Sequence, residues 1–358
     1  MFIDSPLSRL SHEQLEQYLD RIETSLKQLK LGDEIHPVYD NKAYIINGDA
    51  LPSPTLHVLT KIVRAHATHI PFGNAGMVYF DVDAPNWAPT ADVSAATEPP
   101  MNVTYVSTEL EHIFHKLIHR KLDAYCYEQN ELLAAALRTL GFTVWSGKAR
   151  VSSSQYLPDR EYTFFPLYHQ ILFVLIDGQE YLCDVAYGGV FFLAPIPIRT
   201  NEIIKGVGLI GDEVKFERQE CSPSAARPHT TPVFGTSALR TPLTLFARHN
   251  SDADFVPHYC FTDDEFFPVD YVSANIAQYS VRGLFSHHLL VQLPDKDGRG
   301  KKTLFDDTFK ILRDGVVIER RTLTSEAERI QVLKEHFHLE FTEKELRSPQ
   351  ACRLSLDK

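Results

Sequence analysis

The hydrophobic period of this chain changes at Gly141, and that change limits what the chain can fold into. Upstream of it, apolar residues recur at helical spacing. Ser11 precedes Glu13 and Gln14 and the series Leu15, Tyr18, Leu19 and Ile22, a capped amphipathic segment. Leu56, Leu59, Ile62 and Val63 share one stripe of a helix over 55–66, which Pro71 closes off. The period returns over 107–122, and a stronger helix spans 127–140 with Gly141 as its C-cap. Downstream, 142–151, 162–176, 181–187, 213–218 and 243–248 are rich in β-branched and aromatic residues between turn signals, the texture of a barrel or sandwich. The last third mixes strands at 289–293, 303–312 and 316–323 with a helix. That helix opens on the capping box Ser325-Glu326-Ala327-Glu328 and carries Ile330, Val332, Leu333 and Phe337. Between 81 and 104, Pro85, Pro89, Pro99, Pro100 and the lone Trp87 mark a long connecting loop. The order is helices, then strands, then a mixed α/β end, with no internal repeat.

Charge and cysteine usage narrow the class. The 358 residues carry 36 Lys+Arg against 47 Asp+Glu, a net charge of −11, and no basic block, which argues against nucleic acid as a partner. The longest apolar runs, such as 171–176, fall far short of a membrane span. The first twelve residues have neither the charged nor the apolar region of a secretory leader. Cys126, Cys183, Cys221, Cys260 and Cys352 are scattered and lack the paired spacing of a zinc site or a disulfide framework. A reduced, cytoplasmic chain is expected.

One of these thiols is placed for chemistry. Cys126 directly precedes Tyr127-Glu128-Gln129-Asn130-Glu131 and a run of strong helix formers. A thiol at a helix N-terminus meets the positive end of the macrodipole and unpaired N–H groups, which favour thiolate and can hold a developing oxyanion. The alternative is a small buried hydrophobe. A nucleophile needs a base and an orienter, and one hairpin supplies both. Asp177-Gly178 is a two-residue turn signal between two apolar strands. With that loop, Ile176 faces Gln179, Ile171 faces Asp184 and His169 faces Ala186, which puts His169 and Asp184 diagonally adjacent on one face. A structural His–Asp pair is the competing reading. With the thiol in view, Cys–His–Asp leads.

Other constellations carry less. His112, His115 and His119 have helical spacing, but Leu110, Ile113, Phe114 and Leu117 form the opposite stripe, so the histidines share a solvated face with Lys116 and Arg120 and no metal is expected. Gly206-Val207-Gly208-Leu209-Ile210-Gly211 is a literal GxGxxG, yet residues 212–218 read as a strand and not a helix, which excludes a dinucleotide site. The charged run Asp295-Lys296-Asp297-Gly298-Arg299-Gly300-Lys301-Lys302 reads as a solvated turn.

The residues around Cys126 resemble the arylamine N-acetyltransferase family. The match lies in Cys126-Tyr127-Glu128-Gln129-Asn130, then Leu137-Arg138-Thr139-Leu140-Gly141-Phe142 and Ala149-Arg150-Val151. His169 and Asp184-Val185-Ala186-Tyr187-Gly188 match the family's second and third catalytic positions, Ile70-Pro71-Phe72-Gly73-Asn74 its PFxN segment, and Tyr18-Leu19-Asp20-Arg21-Ile22 its N-terminal helix. Asn275, Ser280 and Phe285 echo a looser N…S…F pattern. One departure stands out: Leu122-Asp123-Ala124 occupies the place of the family's Arg-Gly-Gly, so Asp123 is expected to add negative charge near the thiolate.

The resemblance implies an α+β chain of three regions with a papain-like Cys-His-Asp site: a helical bundle over 1–141 with Cys126, a β-barrel over 142–255 with His169 and Asp184, and an interdomain segment with an α/β lid over 256–358. It implies ping-pong acyl transfer from acyl-CoA, acetyl-CoA foremost, to an arylamine, arylhydroxylamine or hydrazine. Cys126 is the nucleophile, His169 the base and Asp184 its orienter. Phe72 and Tyr187 are expected to wall an aromatic pocket beside Gly188, and no metal or tightly bound cofactor is implied. A thiol hydrolase or transglutaminase-like enzyme with the same three groups, or a silent ligand-binding member, are the alternatives.

Overall fold

A computed structural model describes residues 7–30, 45–46, 49–81, 107–155, 162–219, 241–279 and 284–357. The proline-rich stretch with Trp87, together with Ser280 and Cys221, lies outside these residues.

The first region contains α1 (His12–Arg21), α2 (Leu26–Lys30), the short pair β1 (Ile45–Ile46) and β2 (Asp49–Ala50), α3 (Leu56–His69), β3 (Phe72–Gly73) and α4 (Ala75–Val78). Then come α5 (Leu110–Phe114), a π-helical turn His115–His119, and α6 (Cys126–Thr139). Ser11 and Gln14 close a reciprocal capping box on α1, and Thr55 caps α3. The helix expected over 107–122 is thus shorter and changes register. The wider π turn carries Lys116 out of the solvated stripe that a continuous 3.6-residue period gives it, and Lys116 is buried. His115 and His119 stay exposed. Among the described residues no cluster of side chains has metal-binding geometry.

The second region is an eight-stranded antiparallel sheet in the order β7-β6-β5-β4-β11-β10-β9-β8. Its strands are β4 (Thr143–Ser152), β5 (Phe164–Ile176), β6 (Gln179–Cys183), β7 (Ile196–Pro197), β8 (Ile204–Lys205), β9 (Glu213–Arg218), β10 (Leu243–Arg248) and β11 (Val256–Phe261). The sheet curls nearly into a barrel, because the segment that pairs with β6 through β7 reaches β9 through the bridge Thr200–Phe216. β11 lies between β4 and β10, so the sheet runs to residue 261, beyond the 142–255 range. The GxGxxG run lies between β8 and β9 and opens no helix. Period-two alternation sorts β5 into two cores. Ile171 and Phe173 point into the barrel with Phe216, Tyr259 and Phe261, whereas Leu172, Val174 and Ile176 pack on the helices.

The third region holds α7 (Pro268–Tyr279), α8 (Leu284–His287), β12 (Leu290–Pro294), β13 (Gly300–Phe305), β14 (Thr308–Arg313), β15 (Val316–Thr322), α9 (Glu326–Phe337) and α10 (Pro349–Leu354). Its sheet runs β15-β14-β13-β12-β3, so a strand from the first region completes it. The single strand expected over 303–312 is a hairpin. Asp306, at φ 50°, makes the turn without the glycine that marks such turns in a sequence. The charged run at 295–302 spans the β12–β13 turn, where Arg313 pairs with Asp295 and Asp297.

Candidate active site

Cys126 is the first residue of α6. Tyr125 before it is extended and offers no side-chain cap to the first N–H groups of the helix. Residues 126–138 are all buried, which makes α6 the central helix of its region. A helix buried all round must pair its polar side chains. Glu128 meets the buried Lys116 ammonium at 2.8 Å, and Gln129 Nε2 donates to Pro71 O and Ala124 O at 2.9 and 2.6 Å. Burial pushes the Glu128 carboxyl up to about 7, with Lys116 pulling against it.

His169 stands near the middle of β5, beside a bulge. Ala149 pairs with His169 but Arg150 pairs with Leu167, so Tyr168 is the extra residue. The bulge frees the Tyr168 carbonyl to accept from Tyr127 Oη at 2.6 Å and from Gln278 Nε2 at 3.1 Å. His169 shares the parity of Ile171 and Phe173 and points into the barrel, its ring 5.3 Å from those of Tyr187 and Tyr259.

Asp184 comes directly after the last residue of β6. The strand expected over 181–187 ends at Cys183, so the His169–Ala186 pairing does not form, but the diagonal neighbour does meet: His169 Nε2 lies 2.6 Å from Asp184 Oδ2. Asp184 Oδ1 accepts from Asn130 Nδ2 at 3.1 Å and from Ala186 N at 3.2 Å. The Tyr259 hydroxyl stands beside this carboxylate without a hydrogen bond of ordinary geometry.

Cys126 lies beside the same ring, near enough for its thiol to help raise the His169 pKa. Because Nε2 faces Asp184, Nδ1 is the nitrogen left for the thiol. Burial pulls the His169 pKa down, but the charge and hydrogen bond of Asp184, with a contribution from Cys126, outweigh it and raise the value to about 10. An imidazolium beside a thiol is the electrostatic arrangement that activates a cysteine.

The remaining expected residues fall around this centre. Tyr187 packs on His169, while its hydroxyl donates to His258 O at 2.9 Å. Phe72 lies against Gly188, which has φ +81° and leaves no room for a Cβ beside the Phe72 ring. Phe72 also meets Phe285 edge-on at 6.3 Å, and Phe285 stacks on Tyr125 at 5.1 Å. Tyr125 Oη donates to Asn275 Oδ1, which gives two members of the N…S…F pattern a place at the site.

Two residues have roles that the sequence alone did not assign. Asn130 is one turn from Cys126, and their i,i+4 spacing on a helix is the signal that both face the same way. Asp123 is buried, and its carboxylate accepts from Ala75 N and Gly76 N at 2.6 and 2.8 Å. The Asp123 carboxylate is bound by the backbone N–H groups of α4, burial raises its pKa, and its charge acts on Glu128, two residues past Cys126.

A family model described as N-acetyltransferase matches residues 99–346. The chain belongs to the arylamine N-acetyltransferase family. Over 368 aligned residues it is 26% identical to an N-malonyltransferase of Gibberella moniliformis, the alignment covering 98% of this chain and 96% of that protein. It is 29% identical over 227 residues to the arylamine N-acetyltransferase of Escherichia coli strain K12, covering 63% of this chain and 69% of that one. The arylamine N-acetyltransferase of Mycobacterium marinum, solved in complex with CoA, superposes with a TM-score of 0.65 at 20% identity, over 95% of this chain and 98% of that one. The fold is therefore that of the family, helices and a nearly closed barrel. Among the described residues no helix is long and apolar enough to cross a membrane.

Proposed function

We propose that this acyltransferase moves an acyl group from an acyl-CoA thioester to the nitrogen of an arylamine, through an acyl-enzyme on Cys126. The observation that carries the reading is the meeting of Cys126 at the start of α6 with His169, itself held by Asp184. The thiolate attacks the thioester carbonyl, and the oxyanion of the tetrahedral intermediate faces the first N–H groups of α6. Collapse breaks the bond to the CoA sulfur, which takes the His169 proton and departs as CoA thiol. The arylamine then attacks the acyl-cysteine, neutral His169 takes the amine proton, and Cys126 leaves as thiolate beside a restored imidazolium. Asp184 keeps the ring oriented and stabilises its charge. Phe72, Phe285, Tyr125 and Tyr187 supply aromatic walls for the flat amine.

Acetyl-CoA is the donor that the family resemblance implies. The near full-length match to an N-malonyltransferase favours malonyl-CoA as a second donor. Initial rates with acetyl-CoA and malonyl-CoA, each against a series of aminobenzoates and anisidines, test the reading. Parallel double-reciprocal lines, abolished in Cys126→Ala, are expected. Intersecting lines, or amine-independent release of free CoA at the full rate, would instead point to a ternary mechanism or a hydrolase.

A further inference from the structure

The turn that presents Cys126 carries Leu122-Asp123-Ala124 where the family has Arg-Gly-Gly, and the structure shows how it is held without the glycines. Asp123 is fully buried, and each of its oxygens accepts a backbone N–H of α4. Beside it, Ala124 forms a parallel bridge with Phe72. Gly73 N donates to Ala124 O at 3.0 Å and Ala124 N to Pro71 O at 3.3 Å. Gly73 is what admits the carboxylate, since a Cβ there would overlap Asp123 Oδ2.

The segment that Asp123 grips also serves the rest of the site. Gly73 pairs with Val291 of β12, while Asn74 donates to Phe285 O and His288 O and accepts from Leu290 N. Phe72 supplies an aromatic wall. One carboxylate therefore ties the Cys126 turn to the strand bearing Phe72 and, through Asn74, to Phe285. Lys116, paired with Glu128 two residues past the cysteine, is the cation that offsets Asp123 from the other side of the turn.

We propose that Asp123 is a positioning residue for the Cys126 thiol: its two bonds to α4 fix the turn in the place of the family's glycines. The proposal rests on the reading of Cys126 as the acyl acceptor. The test uses the full chain with Asp123→Gly, which restores the family's residue, and Asp123→Asn, which keeps the size and one acceptor. Carboxamidomethylation of Cys126 by iodoacetamide is timed by peptide mass mapping well below the unfolding temperature, with the exposed Cys352 as internal standard. Acyl-adduct formation from acetyl-CoA and malonyl-CoA is timed beside it.

The expected result is at least tenfold slower reaction of Cys126 in Asp123→Gly, an intermediate rate in Asp123→Asn, and no change at Cys352. Rates at Cys126 within twofold of wild type, with only the melting temperature lowered, would reduce Asp123 to a stabilising core residue and overturn the proposal. If Asp123→Gly does not fold, Asp123→Asn decides by the same criteria. A wild-type protein that forms no adduct would sink the acyltransferase reading alone, while the alkylation comparison still decides the role of Asp123.

Discussion

Asn130 fastens the helix of Cys126 to the hairpin of Asp184: its amide nitrogen donates to Asp184 Oδ1 at 3.1 Å and to Gln170 O at 2.7 Å, and its amide oxygen accepts from Val185 N at 3.1 Å. The two parts of the candidate site come from different layers of the fold, and this buried side chain bridges them, beside the Tyr127 Oη bond to Tyr168 O.

Asn130→Ala removes three buried hydrogen bonds; Asp184 Oδ1 keeps the one from Ala186 N, and each buried partner left unsatisfied costs about 1–3 kcal/mol. The melting temperature should fall, and alkylation of Cys126 should slow by about an order of magnitude. Unchanged alkylation in a folded variant would mean that the barrel and α6 are registered by other contacts.

Asp184→Asn tests the electrostatics of His169. In the wild type the histidine pKa is raised to about 10, so its contribution to stability is present below the unfolded value of about 6.5 and is lost as pH rises through 10. Without the carboxylate charge, burial dominates and drives the pKa below its unfolded value. The variant then loses stability as pH falls through 6.5 and shows no loss attributable to His169 at high pH. Thermal unfolding of both proteins from pH 5 to 10 checks this. Parallel curves would show that Asp184 does not hold His169 protonated.

Lys116→Met strands Glu128 and Asp123 in the interior without their cation. Breaking a buried pair from one side costs about 3–5 kcal/mol. The double variant Lys116→Met with Glu128→Leu should recover part of that loss. Urea unfolding measures both. A single variant as stable as wild type would show that Glu128, already pushed up to about 7, simply takes a proton.

Gly188→Ala meets two obstacles, a φ of +81° and the Phe72 ring. The backbone conformation alone costs about 1–2 kcal/mol. Adding Phe72→Ala should relieve the overlap but not the backbone cost, so the double variant should remain less stable than Phe72→Ala alone. Equal melting temperatures for those two would show that the left-handed backbone at residue 188 carries no such cost.

Local signals are what a sequence discloses. The helix start at Cys126 and the Asp177-Gly178 turn are written in neighbouring residues, and parity along the hairpin then brings His169 and Asp184 together even though β6 stops at Cys183. The barrel texture is readable for the same reason, since alternation is a property of each strand. Lys116 defeats the helical pattern because its burial comes from a π turn that no side-chain spacing announces. Asp123 is opaque because its partners, Ala75 and Gly76, are 48 and 47 residues away in the chain and meet it only once β3 and the Cys126 turn are paired. The Asp306 turn is hidden because its positive φ is adopted without glycine.

The central claim is that Cys126 carries the acyl group. The most direct measurement is to mix the protein with acetyl-CoA or malonyl-CoA in the absence of amine and take intact and peptide mass spectra. An acetyl- or malonyl-sized increment is expected on the peptide containing Cys126, absent from Cys126→Ala and discharged by an arylamine faster than by water. No increment from either donor on folded protein, or one that maps to another residue, would contradict the claim.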